Sequence, residues 1–148
     1  MKRNRSIPPV QVIPVLTYPD VEVAVAWLRD AFGAVEHVRI GPNHRAQMMF
    51  GNGAIIIADA TRGRVPPPGE GVSHTIMLRV DDVDALLARA AKAGVEVVME
   101  PTDMPFGERQ CTLVDPGGHR WTLSQTIADS EPESWGGVTV TPYPERDV

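Results

Sequence analysis

The run Asp115-Pro116-Gly117-Gly118-His119-Arg120-Trp121-Thr122-Leu123-Ser124 joins a Pro-Gly-Gly turn to a short strand. Proline presets the first turn dihedral, and glycine accepts the backbone angles that close it. The strand then alternates Trp121 and Leu123 with Arg120, Thr122 and Ser124, which predicts one apolar and one polar face. A weaker copy lies earlier, at Phe50-Gly51-Asn52-Gly53-Ala54-Ile55-Ile56-Ile57-Ala58-Asp59. The pair predicts two copies of one unit, each ending in a glycine turn and a closing strand.

Working outward from each copy gives the same element order. In unit one, residues 10–18 are β-branched and apolar and read as a buried strand, with Pro14 at an edge or bulge because it cannot donate to a ladder. Asp20 is a helix N-cap, Val21, Val25, Leu28 and Phe32 recur at helical spacing, and Gly33 ends the helix. Strands over 34–40, 45–50 and 54–60 follow, separated by glycine turns. Residues 61–71, rich in proline and glycine, read as a linker. In unit two, a strand over 72–80 precedes a helix capped by Asp82 and carrying Val83, Leu86, Leu87 and Ala90, which ends near Gly94. Strands over 95–99, 110–114 and 120–125 complete it. The caps Asp20-Val21-Glu22 and Asp82-Val83-Asp84 and the two closing strands align at nearly the same offset, so the repeat holds in register.

One β-α-β-β-β unit cannot cover its own sheet. The predicted fold is therefore α+β: two tandem β-α-β-β-β units forming an open, cup-shaped eight-stranded barrel with the helices outside. The expected organisation is one domain over 1–148, with unit one at 10–60, the linker at 61–71, unit two at 72–126 and a polar tail at 127–148. Its concave interior is the expected ligand site.

Bulk properties exclude several classes. With 148 residues, 43% of them hydrophobic, the chain has the size and composition of one globular domain. A formal charge of -5 argues against a nucleic-acid partner, and no run is apolar enough to span a membrane. The single cysteine excludes a disulfide framework and a cysteine-rich zinc site. The basic start is not followed by a signal-peptide core, which predicts a cytoplasmic protein.

The doubled pattern resembles the vicinal oxygen chelate superfamily, the fold of glyoxalase I, extradiol dioxygenases and bleomycin-resistance proteins. The motifs that carry the resemblance are Tyr18-Pro19-Asp20-Val21, Leu78-Arg79-Val80-Asp81-Asp82-Val83-Asp84, Phe106-Gly107-Glu108-Arg109-Gln110 and Asp115-Pro116-Gly117-Gly118-His119. The Gly-x-Gly-Ala-Ile-Ile-Ile-Ala-Asp and Phe-Gly-Glu-Arg segments look most like its PhnB-like branch. The resemblance implies metal ligands on the first and last strand of each unit, which fall here on Ile13, Ile57, Thr75 and Thr122. Those side chains lack the imidazole, carboxylate or thiolate that a divalent ion needs, so no metal and no other cofactor is expected. In the competing reading, strand bulges turn His74 and Asp59 inward, with Gln11 or Glu108 completing a displaced metal site.

The residues expected to line the cup are Ile13, Val15, Met49, Ile57, Asp59, Thr75, Met77, Arg79, Cys111, Arg120, Thr122 and Ser124. Hydroxyls and guanidinium groups beside apolar walls suit an amphipathic small molecule with an anionic or carbonyl oxygen. His119 reads as a half-exposed turn residue, and His37 and His44 lack ligand spacing. The expected function is metal-free binding of a small molecule in the cup, for sequestration, carriage or resistance. The alternatives are a glyoxalase-like lyase or isomerase or a dioxygenase with a displaced metal site, a metal-free enzyme using Arg79 or Cys111, or an interaction module with a filled cup. The resemblance further implies a homodimer whose strands or tail cap the partner's cup, and Trp135 is placed to anchor the tail on the body or on a second subunit.

Overall fold

The computed structural model describes residues 1–68 and 71–145. Residues 69–70 of the expected linker and 146–148 of the expected tail lie outside the described residues. In unit one, β1 (Val15–Thr17), α1 (Val21–Phe32), β2 (Val35–Ile40), β3 (Arg45–Phe50) and β4 (Gly53–Ala58) follow in order. Unit two repeats them as β5 (Ile76–Arg79), α2 (Val83–Lys92), β6 (Glu96–Asp103), β7 (Glu108–Val114) and β8 (Arg120–Thr126). Each unit builds its own four-stranded sheet, β1-β4-β3-β2 and β5-β8-β7-β6, with the first strand parallel to the last in both. The two sheets stay separate, so the eight-stranded cup is open.

Local chemistry sets the helix limits. The Asp20 carboxylate accepts from the Val23 N–H at 3.0 Å and Asp82 from the Ala85 N–H at 2.9 Å, each satisfying a donor that the first turn leaves free. Gly33 closes α1 at φ 71°, a left-handed angle that a side chain would strain. Arg89 of α2 reaches the same end and donates from Nε to the Asp30 carbonyl at 2.6 Å. A cation there also opposes the negative pole of the α1 dipole, and it ties the two helices together.

Two strands are shorter than their sequence pattern and one is longer. The first strand, expected over 10–18, is reduced to Val15–Thr17. Pro14 has no N–H to offer a ladder, although its carbonyl still accepts from Ile56 at 2.9 Å, and Val12 is 80% exposed. The fifth strand begins at Ile76 instead of 72, since pairing with β8 starts only at Ile76 opposite Trp121. The sixth runs on to Asp103, kept in pairing by two register shifts against β7. A 3-10 turn at Pro132–Trp135 lies in the tail, where the Trp135 ring packs on Phe106 of the same chain at 5.4 Å between centroids. No helix among the described residues is long and apolar enough to cross a membrane.

The core lies between the helices and one face of each sheet. Leu16, Met48, Ile57, Leu113, Leu123 and Trp121 are buried there with Val21, Leu28 and Val83 from the helices. Trp121 meets Phe32 of α1 edge-on at 5.0 Å and Phe50 of β3 at 5.7 Å, so one side chain joins three elements. Strand alternation then corrects two expectations. Ile57 stands beside Leu16 and Ala46, and Cys111 beside Leu123, all fully or nearly fully buried on the helix side. Neither residue faces the cup.

Across the units, Tyr18 donates its hydroxyl to Asp115 Oδ2 at 2.6 Å, in a setting where both residues are buried. Burial, reinforced by the Asp115 charge, raises the Tyr18 pKa well above its ordinary value. Tyr18→Phe should therefore destabilise the fold by about 1–3 kcal/mol, measured by urea unfolding near neutral pH. A raised phenol pKa also means stability that is complete below about pH 10 and lost as pH rises beyond it. That alkaline decline should be weaker in Tyr18→Phe, and equal slopes in the two proteins would contradict this assignment.

Cys111 generates a second expectation. Burial pushes its thiol up to about 11, which leaves almost no thiolate near neutral pH. The folded protein should resist a disulfide reagent at pH 8, and the protein unfolded in guanidinium should react at the rate of a free thiol. Fast stoichiometric labelling of the folded chain would place Cys111 elsewhere.

Candidate functional site

Where the two units meet at their first strands, a cavity of about 600 Å³ opens beneath the proline-rich linker. Val15 and Thr17 of β1 form one side, Ile76 and Arg120 of unit two form the other, and Pro66, Pro67 and Pro68 roof it. Mostly apolar walls with a few polar groups, and a volume within the range of about 300–1,000 Å³ typical of ligand pockets, suit a small organic molecule.

The linker is held there by charge. Asp59, just past β4, accepts from His44 Nδ1 at 2.8 Å, Thr61 Oγ1 at 2.7 Å and Arg64 Nη2 at 3.2 Å. The His44 contact, with Thr61 and Arg64 assisting, lowers the Asp59 pKa to about 2. Asp59 thus fastens the start of the linker, and its lone pairs are already engaged by the protein. Arg64 immediately precedes Val65, which lines the cavity.

His119 is the residue that sequence reading placed least well. It is buried, and its ring packs against Tyr18 at 4.5 Å between centroids, tilted by 39°. Nε2 lies 2.6 Å from the Thr17 carbonyl oxygen, so Nε2 carries the proton and donates. Its place directly after the Gly-Gly turn was the available signal, because that turn returns the chain to the core. Beside it, Arg120 leans into the cavity, and its Nε is closed off from solvent with no hydrogen-bond partner among the described residues. A buried orphan donor costs about 1–3 kcal/mol, so this atom calls for an acceptor.

The remaining expected residues do not converge on this cavity. Met77, Arg79, Thr122 and Ser124 share one face of the second sheet in paired register, opposite the core. That face is open: Met77 is 59% exposed, and Arg79 donates from Nη2 to Thr126 Oγ1 at 2.8 Å. Ser124 is buried within it, donating to Glu108 Oε1 and accepting from Gln110 Nε2, both at 3.0 Å. Its hydroxyl is committed to that network. Thr75 is exposed just before β5, and Ile13 is half-buried just before β1. Met49 lines a different cavity, between β2, β3 and the N-terminal arm.

The residues at the positions that the resemblance assigns to a metal do not fit one. Ile13 and Ile57 offer no donor, Thr75 and Thr122 offer only neutral hydroxyls, and Ile57 points into the core. Among the described residues, no three His, Cys, Asp or Glu side chains come together as a ligand set. His74 contacts Ser73 at 3.2 Å, and Asp59 is bound to His44 and Arg64, so the two residues of the displaced-site reading have separate partners.

Comparison with known proteins agrees with the fold. The sequence model of the Glyoxalase/Bleomycin resistance protein/Dioxygenase superfamily matches residues 10–123. An uncharacterized protein of Mycobacterium tuberculosis is 33% identical over 126 residues, covering 78% of this chain and 74% of that protein. The anthracycline biosynthesis protein DnrV of Streptomyces peucetius is 27% identical over 112 residues, covering 68% of this chain and 41% of that one. Among solved structures, TioX from Micromonospora superposes with a TM-score of 0.66 at 28% identity, covering 80% of this chain and 99% of that one. The fosfomycin resistance protein FosX of Listeria monocytogenes gives 0.65 at 19% identity, covering 80% and 92%, which is a likeness of fold. With the doubled unit, its strand order and the family pattern in agreement over most of the chain, this protein belongs to the glyoxalase/bleomycin resistance protein/dioxygenase superfamily.

Proposed function

We propose that this protein binds a small organic molecule carrying an anionic or carbonyl oxygen, holds it in the cavity beneath the linker, and sequesters or carries it without a metal ion. The observation that carries the reading is the buried Nε of Arg120, unpartnered among the described residues, in an otherwise mostly apolar cavity. A guanidinium offers directional donors and a permanent charge, which an oxygen of the ligand would complete. The donor chemistry at the expected metal positions supports binding over metal-assisted turnover. The biosynthetic role in the name of the Streptomyces relative supports a small-molecule ligand. Within the superfamily, Phe106-Gly107-Glu108-Arg109 supports the PhnB-like branch, and a single unpaired cysteine is in keeping with a cytoplasmic setting.

The ligand test is a thermal-shift screen against small carboxylates and carbonyl compounds, repeated on Arg120→Met. Hits should lose at least about tenfold in affinity, the equivalent of roughly 1.4 kcal/mol for a charge-assisted bond. The same substitution should leave the free protein as stable or up to about 1 kcal/mol more stable, since it removes an orphan donor. Hits that bind both proteins equally would remove Arg120 from the site. A stoichiometric transition metal in the purified protein, needed for binding, would overturn the metal-free reading.

The same reading includes a homodimer. Its support is apolar side chains left open away from the core, chiefly Val12 and Met77, together with the edge strands of two unclosed sheets. Trp135 packs on Phe106 of its own chain, so the proposed contact is placed on these faces and edges and not on the tail. Light scattering at micromolar concentration should give twice the chain mass, both for the intact protein and for a chain ending at Ala128. A monomer mass for the intact protein rejects the dimer, and a monomer only after truncation returns the contact to the tail.

A further inference from the structure

The second cavity, between the N-terminal arm and the first sheet, has a composition of its own. It measures about 860 Å³ and shares no lining residue with the cavity beneath the linker. Its floor is the face of β2 and β3 that carries Val38, Gln47 and Met49. Its roof is the arm, held down where Gln47 Nε2 donates to the Ser6 carbonyl at 2.9 Å and where Pro8 is buried. Gln47 is itself buried, so that bond fixes the arm at a definite place on the sheet.

The charge of the lining is one-sided. Lys2, Arg3 and Arg5 contribute from the arm and His37 from β2, and among the described residues no acidic one lines the cavity. None of the three arm cations is ion-paired to a carboxylate among the described residues. The chain as a whole carries a formal charge of -5, so this positive field is local and stands against the average. Three cations without an ion pair among the described residues, above a floor that offers the apolar Val38 and Met49, match a molecule with an acidic head and an apolar body.

We propose that the cavity under the N-terminal arm is a second binding site, for a small amphipathic organic anion. The apolar body lies on Val38 and Met49, and the acidic group is taken by the guanidinium and ammonium groups of the arm. The arm is thereby one wall of the site, and neutralising it removes the recognition of charge while the sheet remains intact.

The test uses the full chain and 8-anilinonaphthalene-1-sulfonate, an aromatic body with one sulfonate, followed by fluorescence. A saturable site is expected, displaced by decanoate and weakened several-fold on raising salt from 50 to 500 mM. The K2A/R3A/R5A variant should lose at least tenfold in affinity with no change in melting temperature. Two controls separate this site from its alternatives. Arg62→Ala with Lys92→Ala removes charge elsewhere on the surface and should change the affinity less than twofold. Arg120→Met alters the linker cavity and should leave this affinity unchanged, so the failure of one site is distinguishable from the failure of the other. The proposal is overturned by the absence of saturable binding, by an affinity that survives K2A/R3A/R5A, by a loss as large in the charge control, or by a signal that disappears with Arg120→Met.

Discussion

The Asp115 carboxylate is the point on which both units rest. It is buried, and a buried charge is tolerated only where donors replace water. Four do so here. Tyr18 Oη and Trp121 Nε1 donate to Oδ2 at 2.6 and 3.0 Å, and the backbone N–H groups of Gly117 and His119 donate to Oδ1 at 3.0 and 2.9 Å. One of these donors comes from unit one, and three come from the turn and closing strand of unit two. The turn can approach Tyr18 this closely only because Gly117 has no side chain, since a Cβ there would collide with the tyrosine ring. The bond from His119 to the Thr17 carbonyl adds a second tie across the same seam. The seam then determines the cavity, because Thr17, His119 and Arg120 line it from beside these bonds.

Much of the architecture was legible because it is written in local signals. Asp20 and Asp82 cap helices by the same bond, Gly33 ends one, and the glycine turns separate strands as their dihedral freedom requires. The orientation of individual side chains was less legible. In Gly53–Ala58 the run Ile55-Ile56-Ile57 is apolar on both faces, so nothing in composition marks which isoleucine faces the helices. Pairing of Ile57 with Leu16 and Ala46 decides it, and that information is tertiary. Cys111 was misplaced for the same reason, since a small apolar residue fits either side of a strand. The two cavities were less legible still. Each is roofed by a segment outside the repeat, and the position of that segment depends on contacts such as Gln47 with Ser6 and Arg64 with Asp59.

The two units share a strand order but differ in packing. In α1 seven residues are buried, against two in α2, and β5 alternates half-buried with exposed positions where β4 is almost entirely covered. The helices differ in what they bring to the shared core, Trp27, Leu28 and Phe32 from α1 against mostly alanine and charged residues in α2, and the sheets differ on the side away from the helices. The first sheet is covered there by the arm, whereas the second keeps Met77 and Arg79 in the open. Sequence repetition therefore does not impose functional repetition. Elements outside the repeat give the two halves different surroundings, and the ligand-facing chemistry follows those surroundings.

Arg120 carries the proposed function on such a difference. A divalent ion in this fold would need several anionic or imidazole donors converging from different strands, and the aligned positions carry isoleucine and threonine. A guanidinium needs no such convergence, because its charge is permanent and its donors lie in one plane. It also contributes differently to the empty protein. A metal site without its metal leaves donors that can turn to water, whereas the shielded Nε of Arg120 has nowhere to turn. In the proposed binding mode, whatever supplies the acceptor stabilises the fold by linkage, through the same interaction that binds it. On that proposal, affinity in this cavity and stability at the seam beside it are two readings of one bond, both placed on the strand after the Gly-Gly turn.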